Sequence, residues 1–502
     1  MSGTGPAATT ATAATVPIIP GFHPDPSICR VGDDYYLVNS SFEYVPGVPV
    51  WHSRDLVSWT QVGNVLMRDA QFPAGRSGDS GGIYAPTLRH HHGRFWLITT
   101  DVGDPHGGQR LFTADSAAGP WSDAIEIPGL RGIDPDVTWT DDGQCLVSFC
   151  SWVDGPSSVW QAAIDPATGE VLEEPRKIWG GSGLGHTEGP HLYRHDGWWV
   201  LVAAEGGTER GHGVSVARSR DPRGPFETSP HNPVYTHRST EHPVQNVGHA
   251  DLVERPDGTW AAVHLGVRAR GMTPGYHVNG RETFLAEVDW VDGWPVFRPS
   301  EADVPAGVWS VDDRFETLHP RWVSPRARIE SFAELVPGGL AVRANGAGSP
   351  PSTEGDGSGV YARLQAVHWT ATFDLDDLDD DAVVHVEVRL DERHRAGVRL
   401  AAGTASAEWT VGGRTIELGG GASEPPEASE PPAAGRRVEI ASVPSATGGP
   451  DDLVFSADGR RLGVVDGRYL STEVAAGFTG RVIGVRVDRG RVLVRRAAIH
   501  EA

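Results

Sequence analysis

The chain has 502 residues, which is enough for at least two domains. Gly (63), Pro (38) and Trp (17) are plentiful, and this mixture favours an all-β protein with many tight turns and an aromatic-rich binding surface. The formal net charge of −23 argues against nucleic acid or an anionic membrane as a partner.

Residues 1–16 are rich in Ala and Thr and lack the basic and apolar regions of a secretory signal, so we expect a disordered N-terminal tail. No stretch is long and apolar enough to span a bilayer. The three cysteines, Cys29, Cys145 and Cys150, lack the spacing of a disulfide framework or a zinc site. These features together predict a cytoplasmic protein with no membrane partner.

A loose corner motif of Asp or Ser, Gly or Pro, and an aromatic residue recurs along residues 17–305. Its copies lie at 52–59, 114–121, 164–170, 219–226 and 288–294, with aromatic-rich strands between them. Five units of this kind predict a five-bladed β-propeller, since radial repetition limits the exposed edges of a β fold. An irregular sandwich with similar turns is the alternative.

From residue 306 to residue 502 the pattern changes to alternating strands separated by Gly and Asp turns. Residues 383–390 (VVHVEVRL) and 480–487 (GRVIGVRV) show this alternation, which marks half-buried antiparallel strands. A C-terminal β-sandwich of the jelly-roll or concanavalin-like kind is the natural interpretation. The Glu- and Pro-rich segment 422–432 inside it is expected to be a mobile loop.

Three acids lie in three well-separated short motifs. Asp25 lies in GFHPDPS (21–27), Asp134 in GIDPD (132–136) and Glu188 in HTEGPH (186–191). Pro or Gly-Pro follows each acid, so none can lie inside a regular helix, and each motif leads into an apolar strand-like segment. Acids that converge on one pocket are the groups that hydrolysis of a sugar bond requires: one donates a proton and another activates water or attacks. A third charge can raise the pKa of the donor.

The motifs FHPDP, IDP and TEGP, in this order and spacing, resemble glycoside hydrolase family 43. The resemblance is strongest to β-xylosidases with a C-terminal β-sandwich, and GHAD (248–251), GRETF (280–284) and GFTG (477–480) extend it over about residues 17–502. It implies an inverting mechanism. In that mechanism Asp25 is the general base that activates water, Glu188 is the general acid, and Asp134 raises the pKa of Glu188 and orients it.

Three further polar positions follow from the same resemblance. Arg281 matches a substrate-binding arginine, with a surface salt bridge as the alternative. His249 matches a position on the propeller axis that holds a calcium ion or an ordered water. Calcium prefers oxygen ligands, so such an ion would be mostly water-coordinated, and no cofactor is expected to be required. Asp136 departs from the small polar residue usual in the family, and we expect it to face solvent in the turn.

Aromatic side chains are expected to stack on the apolar face of a pentose. The candidates are Phe42, Tyr84 and Trp152, and Tyr84 stands where relatives more often carry Trp. Phe478 is expected to close the pocket from the sandwich, although sandwich core is an equal alternative. Closure would leave room for a terminal sugar or two, which predicts exo action.

The resulting hypothesis is an exo-acting β-1,4-xylosidase that trims xylooligosaccharides. An α-L-arabinofuranosidase, or an enzyme with both activities, is the alternative, because the two sugars share the layout around the reacting carbon. A non-catalytic sugar-binding propeller would lack at least one acid. A retaining enzyme would have carboxyl groups ~5–5.5 Å apart, against ~6.5–9.5 Å for inversion. The sandwich is expected to serve pocket closure, assembly of a homo-oligomer, or both.

Overall fold

A computed structural model describes residues 15–73, 75, 77–305, 308–344, 358–418, 435–446 and 448–501. The fold is all-β, as predicted. Its helical segments within these ranges are the α-helix α1 (Thr472–Ala475) and two 3-10 turns, Ile329–Ser331 and Gly467–Leu470. In the same ranges no helix is long and apolar enough to cross a membrane.

Residues 27–299 form five antiparallel sheets of four strands each. The first contains β1 (Ser27–Val31), β2 (Asp34–Val38), β4 (Gly47–Ser53) and β5 (Thr60–Leu66), with the short β3 (Tyr44–Val45) between β2 and β4. The second contains β6 (Thr87–His91), β7 (Arg94–Thr99), β8 (Gln109–Ala114) and β9 (Ile125–Ile127). The third contains β10 (Ile133–Trp139), β11 (Cys145–Ser151), β12 (Ser158–Ile164) and β13 (Arg176–Trp179). The fourth contains β14 (Glu188–His195), β15 (Trp198–Glu205), β16 (Gly213–Ser219) and β17 (Glu227–Thr228). The fifth contains β18 (Val244–Glu254), β19 (Trp260–Arg268), β20 (Glu282–Val291) and β21 (Trp294–Pro299).

The first strands of these sheets form a closed ring. β1 contacts β6, β6 contacts β10, β10 contacts β14, β14 contacts β18, and β18 contacts β1. Within each sheet the strands follow chain order, and some of their connections are tight turns whereas others are loops of about ten residues. Two of the turns, Asp196-Gly197 and Asp292-Gly293, have positive φ at both residues, which is the geometry that Asp-Gly adopts in two-residue hairpins. Local turn chemistry therefore explains one hairpin each in the fourth and fifth sheets.

Residues 311–501 form two larger antiparallel sheets. The eight-stranded sheet contains β22 (Val311–Asp313), β24 (Ala333–Val336), β25 (Gly339–Arg343), β27 (Trp369–Asp376), β32 (Arg436–Val443), β33 (Asp452–Ala457), β34 (Arg460–Val465) and β36 (Arg491–Glu501). The six-stranded sheet contains β26 (Ser358–Arg363), β28 (Val383–Asp391), β29 (His394–Ala401), β30 (Thr404–Val411), β31 (Arg414–Leu418) and β35 (Val482–Arg489). The two segments in which the sequence showed alternation, residues 383–390 and 480–487, correspond to β28 and, from residue 482, to β35. The Glu- and Pro-rich segment 422–432 and residues 1–14 lie outside the described residues.

Alternation of apolar and polar side chains along the strands explains how the two larger sheets pack. Along β28, Val384, Val386 and Val388 are fully buried in one apolar cluster, to which both sheets contribute. The intervening side chains of β28 point to the opposite face of the sheet. That face meets the five-sheet part of the chain, because Arg389 donates a hydrogen bond to the Tyr44 hydroxyl across 3.0 Å.

The two parts of the chain share an apolar cluster and a pair of strands. The cluster contains Phe22, Phe42, Tyr44, Val323, Tyr361 and Val482. The strand β23 (Ser324–Pro325) pairs with β3. Charged groups reinforce this junction: Asp79 accepts from Arg389 at 3.0 Å and from Arg326 at 3.2 Å. The C-terminal part is thereby held against the first sheet, beside the end of the ring where the predicted acids lie.

Candidate active site

Asp25 lies two residues before β1, in a backbone conformation that few non-glycine residues adopt. Its φ is 52°, in the left-handed region where Asp is among the tolerated residues. The side chain is buried and accepts hydrogen bonds from Ser40 Oγ at 2.6 Å and from Arg281 Nη1 at 2.9 Å. Burial acts to raise the pKa of Asp25, but Arg281, His249 and Ser40 outweigh it and hold the pKa below its usual value. Asp25 is therefore a carboxylate across the physiological pH range.

Asp134 and Glu188 have the opposite protonation tendency. Asp134 is buried, also has a positive φ (55°), and accepts from the Gly189 N–H at 3.1 Å. Burial, Glu188 and Asp25 raise its pKa well above the usual range. Burial and the Asp25 charge raise the pKa of Glu188 to about 7. Both groups tend to hold a proton near neutral pH, and this behaviour suits a proton donor and a partner that modulates it.

The contact between Asp134 and the Glu188 motif runs through the backbone. Glu188 is the first residue of β14, and the N–H that Asp134 accepts belongs to the next residue, Gly189. A bulge interrupts the β14–β15 register between Glu188 and His191, and a second lies between Ile133 and Asp136 in β10. Bulges redirect side chains at strand ends, and here they occur at the end of the ring where both acids emerge.

Arg281 is buried and serves more than one partner. Besides Asp25, its Nη1 donates to Thr208 Oγ1 at 3.1 Å, and its Nε has no hydrogen-bond partner among the described residues. Arg281 also lines a cavity of about 660 Å³ together with Thr208, Gln245 and Phe478. Arg281 is 8 % exposed, so its ion pair with Asp25 is buried and is not the surface salt bridge weighed as the alternative.

Three of the four predicted aromatic residues form one cluster. The rings of Phe42 and Phe478 stack with centroids 6.1 Å apart and an interplanar angle of 19°. Tyr84 meets both edge-on, at 5.6 Å from Phe42 and 5.9 Å from Phe478. The Arg281 guanidinium lies 5.4 Å from the Phe478 ring centre. Phe478 is 37 % exposed, so the structure places it at the junction and not in the core between the two larger sheets.

Trp152 lies apart from that cluster. It follows β11 directly, and Cys150 near the end of β11 pairs with Ile133, the residue before Asp134. Its side chain is 58 % exposed. Trp152 therefore lies at the same end of the third sheet as Asp134 and presents an open aromatic face.

His249 lies beside Asp25, with Nδ1 3.7 Å from the Asp25 carboxylate. Burial lowers the pKa of His249 to about 4, which keeps the imidazole neutral at higher pH. The described residues contain no group of three His, Cys, Asp or Glu side chains placed to hold a metal ion. The side chains at this point offer an ion one imidazole, so a calcium ion here would depend mainly on water, and it stays a prediction.

The expectation for Asp136 is wrong. This residue does not face solvent in the turn; its exposed fraction is 0 %. Its carboxylate pairs with Arg89 at 2.8 Å and accepts the Leu192 N–H at 3.0 Å. Burial acts to raise the pKa of Asp136, but Arg89 and His191 outweigh it and lower the pKa. The ion pair with Arg89 explains why an acid is stable in this buried position, and the motif around Asp136 gives no sign of that arginine.

Residues 14–295, more than half of the chain, match Glycosyl hydrolases family 43. The chain belongs to glycoside hydrolase family 43. It is therefore a glycoside hydrolase, and the buried acids at the end of the strand ring are its candidate catalytic groups.

Relatives of this family 43 hydrolase include two curated sugar hydrolases. It is 36 % identical over 493 residues to a non-reducing end alpha-L-arabinofuranosidase of Bacteroides ovatus, with 93 % of this chain and 90 % of that protein covered. It is 41 % identical over 383 residues to a xylosidase/arabinosidase of Butyrivibrio fibrisolvens, covering 70 % of this chain and 72 % of that protein. A solved xylan beta-1,4-xylosidase from Bacillus halodurans is 30 % identical, with a TM-score of 0.83 and 97 % and 99 % of the two chains covered.

Two polar residues of this family 43 hydrolase that contact the site carried no signal in the sequence. Ser40 donates to Asp25, and Thr208 accepts from Arg281. Both lie in loops that bring them to the site by tertiary folding, Ser40 after β2 and Thr208 after β15. Small hydroxyl residues are common in such loops, so only the fold distinguishes these two.

Proposed function

We propose that this family 43 hydrolase is an inverting exo-glycosidase that releases xylose from the non-reducing ends of β-1,4-xylooligosaccharides. The observation that carries the proposal is the opposed protonation of two neighbouring acids, one of which raises the pKa of the other. Arg281 keeps Asp25 ionised, whereas burial and Asp25 raise the pKa of Glu188 to about 7. A carboxylate and a protonated carboxyl group together are what hydrolysis of a glycosidic bond requires, and we infer inversion because the three acid motifs resemble those of inverting enzymes.

Each group has a defined part in this proposal. Asp25 removes a proton from a water molecule that attacks the anomeric carbon. Glu188 donates its proton to the oxygen of the departing sugar. Asp134 fixes the backbone beside Glu188 by accepting the Gly189 N–H. Burial and the charge of Asp25 keep the proton on Glu188, and not a charge on Asp134 as the resemblance implied, because Asp134 tends to hold a proton itself. Arg281 lines the cavity, where its guanidinium can meet sugar hydroxyl groups, and holds Asp25 in place. Phe42, Tyr84 and Phe478 form an apolar wall for the pentose, and Trp152 contacts the departing sugar.

The architecture that we propose for this activity has two domains after a tail at 1–16. Residues 17–305 are a five-bladed β-propeller, supported by the five four-stranded sheets whose first strands close a ring. Residues 306–502 are a β-sandwich of the jelly-roll or concanavalin-like kind, supported by two sheets around one apolar cluster. The position of Phe478 supports a role of the sandwich in closing the pocket, and exo action follows from closure.

The second candidate function is α-L-arabinofuranosidase activity, alone or beside xylosidase activity. It is favoured by the name of the Bacteroides ovatus relative, which matches 93 % of this chain. The proposal requires no cofactor, because acids and one arginine supply the chemistry. A cytoplasmic enzyme would act on short imported oligomers. Nucleic acid and membrane partners are not expected, and assembly as a homo-oligomer stays a prediction.

Proton NMR of xylobiose hydrolysis tests the proposal directly. We expect the α-anomer of xylose to accumulate first, because water attacks the face opposite to the departing sugar. Early β-xylose would contradict the inverting mechanism and require one acid to act as a nucleophile. Cleavage of an aryl α-L-arabinofuranoside without cleavage of xylobiose would favour the second candidate.

A further inference from the structure

A buried polar network lies two or three residues further along the strands than the candidate catalytic residues. The pattern is visible in the spacing: Ser27 follows Asp25 by two residues, Asp136 follows Asp134 by two, and Asp251 follows His249 by two. His191 follows Glu188 by three, with a bulge between them. Four strands of the ring thus carry a network residue two or three positions after a candidate site residue.

Arg89, on the remaining strand β6, joins the four network residues. Its Nη2 donates to Asp136 Oδ1 at 2.8 Å and to His191 Nδ1 at 3.0 Å. Its Nη1 donates to Asp251 Oδ2 at 2.8 Å and approaches Ser27 Oγ at 3.4 Å. Both carboxylates are fully buried, and Arg89 is 16 % exposed. One planar guanidinium on β6 therefore contacts residues of all four other strands of the ring.

The two carboxylates each tie a pair of strands together. Asp136 lies in β10 and accepts the Leu192 N–H of β14 at 3.0 Å, which connects the strands that carry Asp134 and Glu188. Asp251 lies in β18 and accepts from Ser27 Oγ at 2.6 Å and from the Ile28 N–H at 2.9 Å. Asp251 thereby connects the His249 strand to the strand that follows Asp25.

Arg89 links these two pairs through both carboxylates, and the Tyr193 hydroxyl of β14 adds a second contact by donating to Asp251. One pair carries the proposed acid Glu188 with Asp134, and the other carries the proposed base Asp25 with His249. An arginine suits this position because its rigid fork can meet two carboxylates at once, which the single ammonium of lysine cannot do. This ion-pair network therefore connects the strand that follows the proposed base with the strand that carries the proposed acid.

We propose that Arg89 is a positioning residue that fixes the distance between Asp25 and Glu188 through Asp136 and Asp251. This inference rests on the proposed function, in which those two acids act on opposite sides of the sugar. An inverting site needs its carboxyl groups ~6.5–9.5 Å apart. A displacement of ~1 Å in such a site can reduce the rate ~100-fold.

The test compares substrates that differ in their need for proton donation. The variants are Arg89→Gln and Arg89→Lys in the full chain, with Arg94→Gln as the control because Arg94 is half exposed and pairs with the exposed Asp115. Rates are measured on xylobiose, whose departing sugar needs a proton, and on a dinitrophenyl β-xyloside, whose leaving group does not. We expect Arg89→Gln to lower kcat on xylobiose by ~100-fold, with a smaller loss on the aryl xyloside and little change in KM. Arg89→Lys should recover part of the loss, and Arg94→Gln should equal the wild type.

An equal loss on both substrates would overturn the inference, because a purely structural defect lowers the active fraction alike for each. Unchanged rates would also overturn it. If Arg89→Gln fails to fold, Asp136→Asn provides the second variant, since asparagine can still accept the Leu192 N–H but loses the ion pair. It should show the same selective loss on xylobiose. Wild-type protein that cleaves neither β-xyloside would instead contradict the proposed function itself.

Discussion

The Arg281 guanidinium faces both oxygens of the Asp25 carboxylate, with Nη1 2.9 Å from Oδ1 and Nη2 3.5 Å from Oδ2. Ser40 supplies a second donor to the same carboxylate. A buried acid that is held this way keeps its charge although burial alone would favour the neutral form. The Arg281–Asp25 pair therefore supplies the ionised carboxylate that the proposed general base requires.

Replacement of either proposed acid or base should remove hydrolysis without unfolding the protein. We expect Asp25→Asn and Glu188→Gln to lower kcat on xylobiose by ~100- to 10,000-fold, the usual contribution of general acid–base catalysis. Asp115→Asn is the control, because that carboxylate is 86 % exposed. Circular dichroism and thermal unfolding establish that the variants are folded. A substantial remaining rate in either folded variant would refute its assigned role.

The Arg281→Met variant should move the acidic side of the pH profile upward. Arg281 lowers the pKa of Asp25, so its removal raises that pKa and the base becomes protonated at a higher pH. KM should also rise because a donor to the sugar is lost. Arg210→Met is the matched control, since Arg210 is an exposed arginine that lines the same cavity. A profile of kcat/KM from pH 3 to pH 9 measures the effect, and an unmoved acidic limb would contradict it.

The wild-type pH profile should have its basic limb near neutrality. Glu188 must be protonated to act, and its pKa is raised to about 7, so kcat/KM should fall as the pH rises through 7. Asp25 must be ionised, and its lowered pKa places the acidic limb below its ordinary value of ~4. The rate should therefore be high between these limits. A basic limb below pH 5 would show that Glu188 is not the donor.

The motifs singled out the acids, Arg281 and the aromatic residues as candidates, but they did not indicate the groups that hold the acids and the arginine. Asp25, Asp134 and Glu188 stand out because a short stiff turn follows each of them. Asp136 was placed in solvent because the sequence shows an acid in a turn and does not show Arg89 arriving from another sheet. Burial of an opposite-charge pair is a property of the tertiary structure. The five repeats were readable because each follows local turn chemistry, whereas the contact of Phe478 with Phe42 depends on how two parts of the chain dock.

Docking of the two parts should depend on Asp79. Asp79→Asn leaves Arg389, a buried cation, without its closest partner, and we expect a loss of about 3 kcal/mol in the free energy of unfolding. The pKa of Asp79 is lowered because Arg389 and Arg326 outweigh the effect of burial, so the wild type should lose this stabilisation as the pH falls below ~4. Asp289→Asn is the control, since the Asp289–Arg298 pair is about half exposed and should contribute at most ~1 kcal/mol. Denaturant unfolding measures both, and equal losses would contradict the prediction.

Ser80 connects the first part of the chain with Phe478 of the C-terminal part by two hydrogen bonds. The Glu43 carboxylate accepts the Ser80 N–H at 3.0 Å, and Ser80 Oγ accepts the Phe478 N–H at 2.9 Å. Ser80→Ala should therefore raise KM for xylobiose, because Phe478 loses the hydrogen bond that holds it against Phe42. Ser182→Ala is the control, since Ser182 Oγ donates to Glu205 and not to this junction. An unchanged KM would show that ring stacking alone places Phe478.

The closed ring of strands has a consequence for how the enzyme is made. Asp25 and Arg281 are 256 positions apart, and β18 must reach β1 before they can meet. During synthesis on a ribosome Asp25 therefore emerges long before Arg281, the arginine that keeps it charged. The sheets that are made first cannot form a complete active site until the later strands have been made. Recovery of catalysis after dilution from denaturant would consequently report the final closure of the ring, later than any signal from the strands themselves.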